Sequence, residues 1–87
     1  MTREHIYEAI VQMITGHMNL PIDPQAIEEE LPLGEAGLAL DSIQIIELAA
    51  RIEAQLGVKL SDSELLDVGG YTVGELLTTL QARANAV

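Results

Sequence analysis

Apolar residues in the first part of the chain recur at steps of three and four, the spacing of an amphipathic helix. The pattern predicts a first helix from Thr2 to about Met18, with Thr2 capping its start and Gly16 and "NLP" at 19–21 able to end it. His17 lies in the last predicted turn, where a histidine suits the negative end of the helix dipole. The predicted inward positions are Ile6, Ala9, Ile10, Met13, Ile14 and His17.

Residues 19–40 hold all three prolines and two of the glycines, which predicts a long connection with a short helix from Pro24 to Glu30. The segment is too apolar for a solvated tether, so we expect it to fold over the helices. Its apolar residues are Ile22, Ile27, Leu31, Leu33, Leu38 and Leu40.

The next apolar pattern predicts a second helix from Ser42 to about Leu56. Asp41 fits the N-cap, Gln44 fits the third helical position of a capping box, and Gly57 fits the stop. The predicted core-facing positions of this helix are Ile45, Leu48, Ala49, Ile52 and Leu56.

Two further helix starts follow, each with the spacing of a capping box, at Ser61 with Glu64 and at Thr72 with Glu75. The first begins a short helix in "SDSELL", and the second begins the closing helix. "VKL" at 58–60 resembles a strand but is too short to build a sheet. We therefore predict an all-α, four-helix bundle with three main helices, one short helix and a long first loop, as a single domain over residues 1–87.

A second apolar stripe lies on another side of the second helix, at Ile43, Ile46 and Ala50, bordered by Glu47 and Glu53. It either packs beneath the long loop or stays partly exposed. An exposed stripe of this kind is typical of a helix-face docking site.

Fourteen acidic residues against four basic ones give a formal net charge of −10, which disfavours binding to nucleic acid and to anionic membranes. The same charge favours basic protein partners. Cysteine is absent, so any thiol chemistry must come from a bound group. No stretch approaches a membrane span or a secretory signal, and we expect a cytoplasmic protein.

Ser42 is the residue with candidate chemistry. Serine at a helix start is ordinarily a cap, but Asp41 already fills that position. The hydroxyl of Ser42 is then spare, and a phosphate attached to it would lie near unpaired N–H groups and the positive end of the helix dipole.

The stretch "LDSIQIIEL" resembles the attachment motif of the acyl carrier protein family, and "LGVKLSDSELLD" and "YTVGELLTTL" extend the likeness over nearly the whole chain. The resemblance implies an acyl-carrier-like fold with a 4′-phosphopantetheine arm, transferred from coenzyme A, on Ser42. Its thiol would hold acyl groups as thioesters for fatty acid, polyketide or related specialised biosynthesis. Asp41 would cap the helix and belong to the motif that the transferase recognises.

The resemblance also implies partners: a phosphopantetheinyl transferase, and acyl-loading and acyl-processing enzymes such as a ligase or ketosynthase. Residues matching the family's docking positions are Ile43, Ile46, Glu47, Ala50 and Glu53. Gln44, Ala54 and Arg51 depart from the family's usual crowding of carboxylates on this helix. The longer approach "PLGEAGLALDS" resembles discrete carriers of specialised pathways, and we expect a discrete monomer.

Three alternatives stay open. Peptidyl or aminoacyl carriers share the fold and the serine, but often carry "GGHS" or "GGDS", which this chain lacks. An unmodified helical interaction module would use the same stripe with Ser42 as a mere cap. A Ser/His hydrolase would need His5 or His17 as its base, and we do not predict an enzyme. Two histidines without cysteine also make a poor metal site, so we predict no metal centre.

Overall fold

The computed structural model describes residues 1–84 and consists of helices joined by loops, which confirms the predicted all-α class. Within this range α1 packs against α4, and α2 packs against α3. "VKL" forms no strand there: Val58 and Leu60 point into the core, and Lys59 points to solvent. The elements are α1 (Arg3–Gln12), a π-helical turn (Met13–His17), a 3-10 turn (Pro24–Ala26), α2 (Ser42–Leu56), α3 (Asp62–Val68) and α4 (Val73–Ala84).

The first helical stretch begins and ends where predicted, but its last turn is a wider π turn. The Thr2 side chain caps α1 by accepting a hydrogen bond from the His5 N–H at 3.1 Å. Gly16 does not stop the helix, because the chain continues through the wider π turn and leaves it at Asn19, which has a positive φ of 54°. The prediction that His17 points inward is wrong: its side chain is exposed, since the wider turn rotates it away from the core.

The connection over residues 19–40 is folded against the helices, as predicted. Its predicted short helix is only the 3-10 turn, because after Ala26 the backbone extends and brings Ile27 into the core. Glu28 to Glu30, which were expected in that helix, are exposed loop residues. Leu33 and Leu40 are also buried, so three apolar anchors hold the connection in place.

Backbone hydrogen bonds join this connection to the start of α4. The Val73 N–H donates to the Leu31 carbonyl at 2.9 Å, and the Gly74 N–H donates to the Glu29 carbonyl at 2.8 Å. These contacts satisfy two of the N–H groups that a helix start leaves unpaired. Gly74 suits the close approach, because a Cβ there would lie 3.1 Å from the Glu29 carbonyl oxygen.

Arg3 ties α1, the connection and α4 together at the surface. Its guanidinium pairs with Glu29 at 2.7 Å, and donates to the Thr78 hydroxyl and to the Gly74 carbonyl, each at 3.0 Å. The hydrogen bond with Arg3 lowers the pKa of Glu29. Beneath this contact the core is apolar, with no buried polar or charged residue among those described.

Capping boxes at α2, α3 and α4 match the sequence prediction. In α3 the Ser61 hydroxyl accepts from the Glu64 N–H while the Glu64 carboxylate accepts from the Ser61 N–H. Thr72 and Glu75 make the same reciprocal pair before α4. None of the helices in residues 1–84 combines the length and apolar character that crossing a bilayer requires.

Candidate functional site

Ser42 is the first residue of α2, and its side chain is exposed. The N-cap position belongs to Asp41, whose carboxylate accepts from the Gln44 N–H at 2.8 Å while the Gln44 side chain accepts from the Asp41 N–H at 3.0 Å. No hydrogen bond to the described residues engages the Ser42 hydroxyl. The hydroxyl is therefore available, as the sequence predicts, and the fold does not use it as a cap.

The chain has three serines, and the other two are engaged in the fold. The Ser61 hydroxyl caps α3 by accepting from the Glu64 N–H. The Ser63 hydroxyl lies 3.1 Å from that of Ser61 and shares a hydrogen bond with it. Ser42 thus differs from both other serines in having a hydroxyl that no residue among 1–84 engages.

A cleft of about 400 Å³ opens beside Ser42 between the starts of α2 and α3. Its walls are mostly apolar, and carboxylates stand at Asp41 and Asp62. The other lining residues are Leu40, Ser42, Ile45, Ile46, Leu65, Leu66 and Gly69. Such a cleft suits an apolar chain whose polar end emerges near the serine.

The second apolar stripe of α2 is exposed, which decides between the two predicted alternatives. Ile43 is 74% exposed and Ile46 is 57% exposed, and Ala50 also faces solvent. The bordering carboxylates of Glu47 and Glu53 are exposed as well. The long loop does not cover this side of the helix, since these side chains are exposed.

Leu66 extends the apolar surface onto α3, and no pattern in the sequence predicted its exposure. Its side chain is 85% exposed, and it lines the same cleft as Ile46. The helical pattern of α3, seven residues long, is too short to assign a face to each leucine.

An ion pair holds the start of α3, which forms one wall of the cleft. One Arg83 nitrogen lies 2.7 and 2.6 Å from the two Glu64 carboxylate oxygens, and another donates to the Lys59 carbonyl at 2.7 Å. The hydrogen bond from Arg83, helped by the Ser61 backbone N–H, lowers the pKa of Glu64 to about 2. Glu64 therefore stays ionised and paired at neutral pH.

The surroundings of Ser42 do not resemble a hydrolase. No histidine lines the cleft, and His5 and His17 are exposed on α1 and on the π turn. A larger groove of about 650 Å³ lies elsewhere, around the Arg3–Glu29 ion pair, and it contains no serine. Residues 1–84 contain no group of three or more His, Asp or Glu arranged to hold a metal ion.

Comparison with known proteins agrees with this geometry. The family model described as "Phosphopantetheine attachment site" matches residues 9–80. The acyl carrier protein of Saccharopolyspora erythraea is 32% identical over 77 residues, which cover 88% of this chain and 76% of that protein. The acyl carrier protein of Thermotoga maritima is 27% identical over 82 residues, covering 94% of this chain and 95% of that protein.

The matched family defines the prosthetic group and the kind of protein. The group is 4′-phosphopantetheine, as the resemblance implied, and proteins of this family are carriers rather than enzymes. Since the family match covers most of the chain and both relatives are acyl carrier proteins, this chain belongs to the acyl carrier protein family.

Proposed function

We propose that Ser42 is the attachment residue for 4′-phosphopantetheine and that the chain carries acyl intermediates for fatty acid, polyketide or related specialised biosynthesis. The observation that carries this proposal is the exposed, unpaired Ser42 hydroxyl at the mouth of an apolar cleft. When bound, the prosthetic group supplies a flexible arm ending in a thiol, which holds an acyl group as a thioester.

The residues around Ser42 suit a phosphodiester. Attachment would form a bond from the Ser42 oxygen to phosphorus while the phosphoanhydride bond of coenzyme A breaks and adenosine bisphosphate leaves. The Ile45 N–H already bonds the Asp41 carbonyl at 2.9 Å, and the Gln44 N–H bonds the Asp41 carboxylate. The Ser42 and Ile43 N–H groups remain at the positive end of the helix dipole, where an anion is stabilised.

Asp41 has a positioning role in this proposal. Its reciprocal pair with Gln44 fixes the first turn of α2 and fills the N-cap position, so the Ser42 hydroxyl is not needed as a cap. A transferase would meet an ordered helix start with one free hydroxyl. We infer that this order, together with the Asp41 carboxylate, forms the signal that the transferase recognises.

The exposed side of α2 is the proposed docking surface, formed by Ile43, Ile46, Glu47, Ala50 and Glu53. Two exposed isoleucines next to Ser42 present the kind of apolar centre with a charged border that protein interfaces commonly have. Partners on this surface would be the phosphopantetheinyl transferase, then acyl-loading and acyl-processing enzymes such as a ligase or ketosynthase.

Three further predictions concern the whole protein: a single domain over residues 1–87, a discrete monomer, and a cytoplasmic location. Residues 85–87 lie outside the described residues. A peptidyl or aminoacyl cargo is the alternative to an acyl cargo. The two curated relatives, both acyl carrier proteins, favour the acyl cargo, and they favour a carrier over an unmodified interaction module.

Intact mass measurement tests the attachment site. The purified chain is incubated with coenzyme A, magnesium and a transferase of broad specificity, and we expect the mass of one phosphopantetheine to be added. Ser42→Ala should keep its helical circular dichroism and gain no mass. Ser63→Ala is the matched control, because it also removes an exposed hydroxyl, and it should be modified like the parent.

Two results would count against Ser42. A gain of mass by Ser42→Ala would show that the prosthetic group attaches to another residue. A parent chain that is folded, unmodified at the start and still gains no mass would support the interaction module, with Ser42 as a residue of the helix start only.

A further inference from the structure

The exposed side of α2 is unusual in its arrangement of charge. At about 100° per residue, Ile43, Ile46, Ala50 and Ala54 fall on one side of the helix. Glu53 lies at one edge of this side and Glu47 at the other. Arg51 follows one turn after Glu47, just beyond the same edge. An approaching protein therefore meets apolar side chains first, with a charged group on each border.

The chain's acidity lies mostly outside α2. Residues 1–41 hold eight acidic residues and one basic residue, whereas α2 holds two acidic residues, Glu47 and Glu53, and one basic residue, Arg51. A net charge of −10 for the whole chain thus coexists with a nearly neutral helix at the proposed docking surface. The field that attracts basic proteins from a distance has its main source elsewhere on the molecule.

Arg51 reduces the negative charge of α2 further by pairing with Glu47. One of its terminal nitrogens lies 3.3 Å from a Glu47 carboxylate oxygen, in the i, i+4 arrangement that favours such pairs on helices. Among residues 1–84, Arg51 forms no other ion pair. The charges of Glu47 and Arg51 offset each other at short range. Among residues 1–84, Glu53 is therefore the one charge of this helix that has no ion-pair partner.

We propose that Arg51 is a specificity-determining residue that masks Glu47, so that this surface fits an enzyme with an apolar recess rather than one with a basic patch. This inference rests on the proposed docking role of α2. Apolar contacts made by Ile43 and Ile46 contribute most of the free energy of binding to the partner enzyme. A partner that needs a free carboxylate at position 47 is discriminated against, because it must first break the Arg51 pair.

The test is a double-mutant cycle on transfer kinetics. The rate constant kcat/KM for modification is measured at low and at moderate salt, with coenzyme A, magnesium and a transferase of broad specificity. The variants are Glu47→Gln, Arg51→Gln, the double variant and Ile46→Ala. Glu30→Gln is the matched control, because it removes one exposed carboxylate from the loop and leaves α2 untouched.

We expect Ile46→Ala to lower kcat/KM by about tenfold or more, as for an apolar residue at the centre of an interface. Glu47→Gln should lower it by about twofold in the parent and by about fivefold in the Arg51→Gln background. Arg51→Gln alone should raise kcat/KM at low salt and make it more dependent on salt, chiefly through KM. Glu30→Gln corrects these values for the change in total charge.

Other outcomes overturn the inference. An equal effect of Glu47→Gln in both backgrounds would show that Arg51 does not mask it. A lower kcat/KM in Arg51→Gln would show that the partner contacts Arg51 directly. A small effect of Ile46→Ala beside a large effect of Glu47→Gln would indicate charge-driven docking. If no chain gains mass, the proposed attachment site itself fails, which the parent alone reveals.

Discussion

The two connections that flank α2 are attached to the rest of the molecule in different ways. Residues 19–40 have three buried anchors, backbone bonds to α4 and the Arg3–Glu29 pair. The connection after α2, residues 57–72, has buried anchors at Val58 and Leu60 before α3. Within α3 itself, Val68 is the one buried side chain, and the Arg83–Glu64 pair holds the helix start. Both connections contribute to the cleft beside Ser42. Leu40, a buried anchor, lines one side, and α3, whose own buried side chain is Val68, lines the other.

This difference suggests a division of roles. Buried apolar anchors resist movement, since every displacement exposes surface to water, whereas exposed ion pairs contribute little to stability. We therefore expect α3 to be the wall that moves when the cleft opens. Local opening of this kind occurs where few buried apolar contacts hold an element.

The same substitution in both connections should give the largest contrast. Leu33→Ala removes a fully buried side chain and should destabilise the fold by about 2–5 kcal/mol. Leu66→Ala removes a side chain that is 85% exposed and should change stability by less than about 0.5 kcal/mol. Urea unfolding followed by circular dichroism measures both. If Leu66→Ala lowered the free energy of unfolding as much as Leu33→Ala does, the proposed difference between the two connections would be wrong.

Added methyl groups on glycines provide the next contrast. Gly74→Ala should destabilise the fold by about 1–3 kcal/mol, because its Cβ would lie 3.1 Å from Glu29 atoms that α4 and Arg3 hold in place. Gly16→Ala is the control, since nothing lies within 4 Å of the added group. It should leave the unfolding midpoint unchanged or raise it. Equal losses of stability in Gly74→Ala and Gly16→Ala would show that the loop does not approach α4 closely at Gly74.

Breaking the two ion pairs separately should affect different parts of the molecule. Arg83→Gln should speed hydrogen exchange of the α3 amides by about two- to fivefold, because it releases Glu64 and the Lys59 carbonyl. Arg3→Gln should leave α3 unchanged and affect the amides of Val73 and Gly74. Exchange is measured by NMR on the unmodified chain, so it does not depend on Ser42. Unaltered α3 exchange in Arg83→Gln would show that the ion pair does not stabilise this helix.

The smallest effect concerns pH. The folded-state pKa of Glu64 is about 2, below the ordinary value of 4.5, so its pair with Arg83 contributes stability that is fully present above 4.5. That contribution declines as the pH falls and is lost as the pH passes through about 2. An NMR titration of the Glu64 carboxyl carbon should show the low midpoint, and Arg83→Gln should move it towards 4.5. An unmoved midpoint would contradict the assigned cause.

Local signals explain how much of the structure the sequence predicted. The bounds of α2, its cap at Asp41 and the capping boxes at Ser61 and Thr72 depend on residues within one turn of each other. The availability of the Ser42 hydroxyl was predictable for the same reason, since the Asp41 cap leaves it spare. The end of the 3-10 turn at Ala26 was not, because the burial of Ile27 depends on helices distant in the sequence.

Features set by long-range packing lay beyond local patterns. The Arg83–Glu64 pair joins residues 19 positions apart, and the Arg3–Glu29 pair joins residues 26 apart. Leu66 lines the cleft only because α3 lies against α2. The π turn that directs His17 outward likewise has no signature in the spacing of apolar residues. The cleft therefore required the assembled fold, whereas its serine did not.

The placement of the aromatic residues determines what optical methods can detect. Tyrosines 7 and 71 are the chain's only aromatic residues, and both contact the long connection: the Tyr7 hydroxyl donates to the Ile27 carbonyl, and the Tyr71 carbonyl accepts from the Leu33 N–H. In tyrosine fluorescence and near-ultraviolet dichroism, Tyr7 thus reports on the firmly packed side, whereas Tyr71 also senses the end of α3, because its N–H donates to the Val68 carbonyl at 3.0 Å. Far-ultraviolet dichroism includes α3, so noncoincident unfolding curves from these probes would reveal its separate melting.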